Sequence, residues 1–200
     1  MCGRYDLSEN PAAIRAQFHV RSVPEFAPNH DVRPTDHAPI VRRNADGERE
    51  CALARWGLVP SWAKEAKFGT RCFNARVETL ATLPAFRNAY RHRRCLVPTS
   101  AFFEWSGPAG RRTKWRIQPD SDALLALAGL WESWSDPHSG QSMQTYTIVT
   151  TAANESLAAI HDRMPVIVRP ERYDDWLDSN GRKMDLFVPV AEGGLKVLGA

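Results

Sequence analysis

The spacing of apolar and polar positions changes period several times along the chain, and each change marks an element. Asn10 followed by Pro11 reads as a helix cap and first helical position, and Ile14 with Phe18 supplies an i, i+4 apolar stripe, which predicts a short first helix. Residues 39–43 and 51–57 alternate with a period of two on either side of Asn44-Ala45-Asp46-Gly47, the signature of a hairpin. A second helix is predicted over 83–92. Strand-like runs follow at 94–97, 101–105, 113–118, 123–134 and 144–151, separated by turn clusters such as Ser106-Gly107-Pro108-Ala109-Gly110 and Asp136-Pro137-His138-Ser139-Gly140. Asn154-Glu155 can open a third helix ending near His161, 164–169 reads as another strand, and Pro170 starts a helix reaching Trp176 and Leu177. Strands this closely spaced favour antiparallel meanders over βαβ units. The expected fold is α+β, a curved, barrel-like, mostly antiparallel sheet with peripheral helices.

Composition narrows the class. Two hundred residues, 43% hydrophobic and 24% charged, suit a single domain over 1–200 whose core needs no disulfide or metal staple. The longest apolar stretch, 123–131, is far shorter than the ~20 residues of a membrane span, so no membrane association is expected. Met1-Cys2-Gly3-Arg4-Tyr5-Asp6 has no apolar secretion signal, which points to the cytoplasm. The four cysteines, Cys2, Cys51, Cys72 and Cys95, form no Cys-x-x-Cys pair, so neither a metal nor a cofactor is expected. A net charge of +3 hides an asymmetry: 66–103 holds seven bases (Lys67, Arg71, Arg76, Arg87, Arg91, Arg93, Arg94) against Glu78 alone, whereas 117–162 holds six acids and no Lys or Arg. One face could thus hold a polyanion such as nucleic acid, although a solvated helix face around 87–94 is the commoner explanation of such a run.

Candidate chemistry begins at Met1-Cys2-Gly3. Removal of Met1, usual before a small residue, would leave Cys2 with an amine and a thiol on adjacent carbons. Such a 1,2-aminothiol traps an aldehyde as an imine, and the thiol then closes a five-membered thiazolidine with the advantage of an intramolecular step. Three further segments carry chemistry-bearing residues. Asn74-Ala75-Arg76 sets an amide two residues from a phosphate-capable base. Phe103-Glu104-Trp105 places a carboxylate among aromatics, surroundings that raise a Glu pKa towards general-acid use. Ile160-His161-Asp162-Arg163 puts an imidazole at a helix end. Taken singly, each has an ordinary alternative: Asn74 as a turn residue, Glu104 as an ion-pair partner, His161 as a helix cap.

Together, these segments resemble the SRAP family (SOS-response-associated peptidase), the abasic-site processing proteins. The resemblance also runs through Val32-Arg33-Pro34, Arg55-Trp56-Gly57-Leu58-Val59-Pro60-Ser61-Trp62, Arg93-Arg94-Cys95-Leu96-Val97-Pro98 and Ile148-Val149-Thr150. It implies a covalent link between Cys2 and the ring-opened aldehyde of an abasic site in single-stranded DNA, with no cofactor. Asn74 would orient the Cys2 amine, Glu104 would move protons during sugar opening and imine formation, and His161 would assist opening and reversal. Arg4, Arg76 and Arg163 would hold phosphates, Pro34 and Trp62 would pack against nucleotides, and Thr150 would complete the DNA contacts. A monomer, nucleoid-associated when on DNA, is expected. Lyase and self-cleaving peptidase activity rank below cross-linking.

The chain departs from the family pattern at several positions. Asp31 replaces the usual Asn, Ala101 the usual Gly and Ala63 a second Trp, and the C-terminal segment is only faintly echoed at 187–190. Two other function classes remain open at this point. N-terminal-nucleophile glutamine amidotransferases also begin Met-Cys-Gly, but no matching Asn-Gly or Arg-Gly stretch is present. A non-covalent single-strand binder would use the same basic and aromatic residues.

Overall fold

The computed structural model of the protein describes residues 2–178, 187 and 194–200. In chain order the elements are β1 (Arg4–Leu7), α1 (Pro11–Phe18), β2 (Asn29–Val32), β3 (His37–Arg43), β4 (Arg49–Trp56), β5 (Asn74–Arg76), α2 (Arg87–His92), β6 (Arg94–Thr99), β7 (Ala101–Ser106), β8 (Thr113–Pro119), β9 (Leu125–Ser135), β10 (Ser142–Ala152), α3 (Glu155–Ala158), β11 (Arg163–Pro165), α4 (Tyr173–Leu177) and β12 (Leu195–Gly199). Strands β10, β4, β3, β6 and β9 close into a barrel, all neighbours antiparallel except β10 with β4. A second, antiparallel sheet runs β12-β8-β7-β1-β2. The α+β, barrel-like expectation therefore holds, with few helices.

Strand β10 does two jobs. Its first half lies in the barrel, paired with β4 and, through the long β9–β10 hairpin, with β9. Its second half runs past the barrel end, where Ile148, Val149 and Thr150 pair with Asn74, Ala75 and Arg76 of β5, and Thr150, Thr151 and Ala152 pair with β11. One continuous strand thus carries core packing into the edge where the site residues collect.

The two sheets meet over Trp56, fully buried at the end of β4. Its ring packs on Tyr5 of β1 at 5.2 Å and on Tyr146 of β10 at 6.2 Å, and its Nε1 donates to the Phe73 carbonyl at 2.8 Å. The Tyr5 and Tyr146 hydroxyls pair at 2.7 Å, satisfying both polar tips inside an apolar core. Removing any of these rings would cost about 3–5 kcal/mol in a core of this kind.

The first helix matches its sequence logic: Asn10 Oδ1 accepts from the backbone N–H groups of Ala12 and Ala13, Pro11 starts the helix, and Ile14 and Phe18 are buried. Elsewhere boundaries move. The helix expected over 83–92 is regular only from Arg87, the residues before it staying in turns. The third helix ends at Ala158, three residues before His161, and the strand expected over 164–169 is the short β11, which ends on Pro165. Strands β1, β2, β5 and β12 are too short to show a period. Of the stretch 187–190, residues 188–190 lie outside the described residues, as does Met1.

The basic run of 87–94 is not one open face. Arg94 is 5% exposed, its guanidinium set 4.6 Å from the Tyr90 ring centroid and 5.2 Å from that of Trp176. Its Nε donates to the Tyr90 carbonyl at 2.9 Å, and burial lowers its pKa. Arg93 is paired with Glu132 at 2.6 Å. These two cations brace the core and do not present themselves to a polyanion.

Candidate active site and nucleic-acid interface

Cys2 is completely buried just before β1. Burial, reinforced by the negative charge of Glu104, pushes its thiol well above the ordinary range, while a hydrogen bond from the Arg4 backbone N–H works the other way. Asn74, the first residue of β5, donates from Nδ2 to the Cys2 carbonyl at 2.8 Å. That bond fixes the orientation of the amide, and it leaves Oδ1 as a buried acceptor with no partner among the described residues.

Glu104 sits on β7 at 4% exposure. Burial raises its pKa, and the positive form of His161 pulls the other way. Phe103 and Trp105, expected to bury this carboxyl, do not do so, since successive side chains on a strand point to opposite faces. Those two rings carry cations instead: Lys114 Nζ lies 3.8 Å from the Phe103 centroid, and the Arg4 guanidinium lies 5.5 Å from that of Trp105. Glu104 is desolvated on the other face, within electrostatic reach of Cys2 and His161.

His161 Nδ1 accepts the Arg163 backbone N–H at 2.9 Å and also lies 2.9 Å from Asp162 Oδ1. The two uses exclude each other, because an acceptor nitrogen has no proton for the carboxylate. The backbone donor is fixed by β11, whereas the Asp162 side chain is 85% exposed and can turn away, so the bond from the Arg163 N–H is the one that orients the ring.

The candidate phosphate residues are placed unequally. Arg76 is exposed on β5 and makes no ion pair among the described residues, while Thr150, its cross-strand neighbour, is fully buried with Oγ1 unpaired among the described residues. Arg163 is 14% exposed, grips both oxygens of Glu78 at 2.6 and 2.9 Å, and donates to the Thr150 carbonyl at 2.8 Å. Those bonds outweigh the small burial of Glu78 and hold its carboxyl below the usual range. Arg4 is tied to Asp31 at 2.6 Å, and Asp31 also accepts from Arg33 Nε at 2.9 Å. Partial burial works to raise the Asp31 pKa, but the two guanidiniums outweigh it. The departure at position 31 therefore shows as a local neutralisation of Arg4 and Arg33.

Pro34 lies in the turn between β2 and β3, and Trp62 in the loop after β4. Pro34 is half-buried in a turn held by Thr35, at φ +86°, whose N–H bonds the Trp56 carbonyl at 2.8 Å. Trp62 is 56% exposed and meets Phe68 edge-on at 5.1 Å. Beside it, Ala63 is buried against Val59 and Trp134, whose Nε1 donates to the Ala63 carbonyl at 2.7 Å. Ala101 is buried in β7 opposite Asp6. Among the described residues no cluster could hold a metal ion, and no helix is long and apolar enough to cross a membrane.

Sequence reasoning missed Glu78 as the partner of Arg163, and it missed the cleft behind Trp62. Only the Lys64, Lys67, Arg71 spacing hinted at the latter.

The chain matches the family described as SOS response associated peptidase (SRAP) over residues 1–196. It is 38% identical over 189 residues to the abasic site processing protein YoaM of Bacillus subtilis, covering 92% of this chain and 82% of YoaM. With the abasic site processing protein HMCES of Gallus gallus it shares 30% identity over 220 residues, covering 89% of this chain and 66% of HMCES. A Bordetella bronchiseptica crystal structure superposes with a TM-score of 0.85 at 26% identity, covering 100% of this chain and 99% of that one. A Bacteroides thetaiotaomicron structure superposes at 0.87 with 24% identity, covering 99% and 91%, and shares the fold. By sequence and by fold, this chain belongs to the SRAP family.

Proposed function

We propose that the protein captures abasic sites in single-stranded DNA through a reversible thiazolidine formed by Cys2 once Met1 has been removed. The observation that carries this reading is the 2.8 Å bond from Asn74 to the Cys2 carbonyl, which fixes the one residue able to offer both nucleophiles. A buried carboxyl and an imidazole stand within electrostatic reach of each other, and the carboxyl within reach of Cys2. The lesion named in the relatives' descriptions supports the substrate class.

An abasic sugar is mostly a closed hemiacetal. Glu104, whose pKa burial raises, gives its proton to the ring oxygen while the anomeric hydroxyl releases its own to solvent, opening the ring to the aldehyde. The Cys2 amine attacks the carbonyl carbon and one water leaves, giving an imine. The thiol sulfur then adds to the imine carbon while its proton passes to the nitrogen, closing the ring. Because burial keeps the thiol protonated, the amine acts first. The buried Oδ1 of Asn74, which has no partner among the described residues, accepts a hydrogen from that amine in this reading. His161 assists ring opening and supplies a proton to the nitrogen side during reversal. Arg4, Arg76 and Arg163 hold phosphates, Thr150 lines the same edge, and Pro34 and Trp62 pack on neighbouring nucleotides. Lyase and self-cleaving peptidase chemistry are secondary to this capture.

The test is a denaturing gel after incubation with single-stranded DNA bearing one abasic site, beside duplex and undamaged strands. A denaturant-stable adduct is expected, and Cys2→Ala should abolish it while Cys51→Ser retains it. Absence of any adduct, or peptide mapping that puts the DNA on an internal cysteine, would overturn the reading.

A further inference from the structure

We propose that the β7–β8 hairpin is a second DNA contact, an arm that holds phosphates of the captured strand away from the lesion. This rests on the abasic-DNA reading above and adds a surface that none of the residues in that reading occupies. Residues 105–119 hold four bases, Arg111, Arg112, Lys114 and Arg116, and no acid. Arg116 is paired with Asp6 at 2.6 Å. Arg111 and Arg112 are exposed at the hairpin tip, and together with Lys114 they make no ion pair among the described residues. Arg4, Arg33, Arg93 and Arg163, by contrast, each face a carboxylate. The hairpin thus carries positive charge that the fold itself leaves uncompensated.

The arm is a direct extension of the site. Glu104 on β7 pairs with Trp115 on β8, then Trp105 with Lys114 and Ser106 with Thr113, so the tip begins two rungs, about 7 Å, beyond Glu104. Directly opposed residues share a face of the sheet, which puts Lys114 beside Phe103 and Trp105, its Nζ 3.8 Å from the Phe103 centroid. Arg4 reaches the same face from β1, 5.5 Å from the Trp105 centroid. The residue next but one to Cys2 and the unpaired cations of the hairpin therefore lie along one edge. The tip is shaped before any strand arrives: Gly107 at φ +96° and Gly110 at φ +84° make its turns, the Arg111 N–H bonds the Pro108 carbonyl at 3.0 Å, and Trp115 Nε1 donates to Ser106 Oγ at 2.8 Å. An arm already ordered binds without the entropy cost of ordering. Between 106 and 114 there is no aromatic ring to stack a base, so the contact is with phosphates, charge-driven and indifferent to sequence.

The experiment uses Cys2→Ala protein, so that binding stays at equilibrium, and reads fluorescence anisotropy on single-stranded oligonucleotides carrying one abasic site. The strand is lengthened one nucleotide at a time on either side of the lesion. On one side affinity should climb as the strand reaches the hairpin, and Arg111→Gln/Arg112→Gln should abolish that climb. On the longest strand the double variant should flatten the salt dependence by about 1.4 in logarithmic slope, two phosphates' worth, or about sevenfold less affinity lost between 50 and 200 mM salt. Lys114→Gln should flatten it by about 0.7, and Arg111→Lys/Arg112→Lys should keep both the climb and the slope. Arg87→Gln/Arg91→Gln, which removes two charges from α2, is the control for net charge. Equal flattening in that control, or a hairpin variant whose length dependence and slope match the parent, overturns the arm. So does a climb that disappears when the bases on that side are replaced by base-less tetrahydrofuran residues, because the phosphates are still there. Cross-linking by Cys2-intact protein on the same strands is scored in parallel. Cross-linking with no hairpin dependence of binding removes the arm alone, whereas hairpin dependence without cross-linking keeps the arm and removes the covalent reading.

Discussion

Replacing Glu78 with Gln breaks the bidentate pair that occupies Arg163, and it does so where a DNA phosphate is expected to bind. In the unliganded protein a phosphate must displace the carboxylate or bind against its charge. Glu78 is 52% exposed and Arg163 14%, so the pair belongs with solvent-screened bridges worth about 1 kcal/mol or less. Releasing it should tighten single-strand binding by up to about fivefold at low salt. The bond to the Thr150 carbonyl keeps the guanidinium in place after the carboxylate is gone. One more phosphate neutralised on a single strand steepens the salt dependence by about 0.7 in logarithmic slope, or roughly 2.5-fold more affinity lost between 50 and 200 mM salt. The assay is an anisotropy titration across a salt series in the Cys2→Ala background. The double variant Glu78→Gln/Arg163→Gln is the control, because general loss of negative charge would persist in it and a freed Arg163 would not. An unchanged affinity and slope in Glu78→Gln, or a gain surviving in the double variant, would refute the assignment of Arg163 to a phosphate.

Other outcomes follow from the same geometry. Glu104→Gln should slow cross-link formation by about a hundredfold or more, with a smaller defect on a small open-chain aldehyde, measured by single-turnover gels. Wild-type Glu104 holds its proton to higher pH in the folded than in the unfolded chain, so its effect on stability worsens as pH rises from the ordinary carboxylate value through the raised one; melting curves at pH 5 and 8 should show Glu104→Gln removing that decline. His161→Ala should chiefly retard release of a preformed link, and wild-type rates in both directions would leave the imidazole only the structural role of accepting the Arg163 N–H. Gly57 crosses the backbone of Gly69, and Gly57→Ala adds a Cβ at φ +119° within 2.6 Å of the Gly69 carbonyl oxygen, which should lower stability by about 3–5 kcal/mol and the melting temperature by roughly 6–20 °C. Gly47→Ala, at φ +79° with nothing within 4 Å, should cost only about 1 kcal/mol, and equal melting shifts for the two would argue against the crossing as a constraint.

The parts of this molecule legible in its sequence are those governed by local rules. Asn10-Pro11 caps a helix as its spacing implies, and the strand-like runs at 101–105 and 113–118 form β7 and β8. Asn74-Ala75-Arg76 stands out in the sequence for its chemistry but not as a strand, because a three-residue strand has no period and β5 exists by pairing with β10 some 74 residues later. Glu104 was singled out for the wrong neighbours: the adjacent aromatics in sequence lie on the other face, and its desolvation is a tertiary effect. The ion pairs that bind Arg4 and Arg163 join residues 27 and 85 positions apart, and a charge count along the chain cannot see them. The crossing of Gly57 with Gly69 is likewise invisible until two backbones meet.

The β9–β10 hairpin has a practical consequence. If the amino group of Cys2 must stay uncapped, the usual place for an affinity handle or a dye is lost. The turn over 136–141 offers a substitute: it is solvent-facing, held by its own bonds from Asp136 N–H to Gln141 carbonyl at 2.9 Å and from Gly140 N–H to Asp136 carbonyl at 2.8 Å. Eight residue-to-residue steps of extended β10 lead from Ser142 to Thr150, about 26 Å along a stiff strand that is clamped on both sides. A short peptide epitope grafted into that turn would let the protein be immobilised on a surface with its reactive end facing outward, and turnover could be watched one DNA molecule at a time.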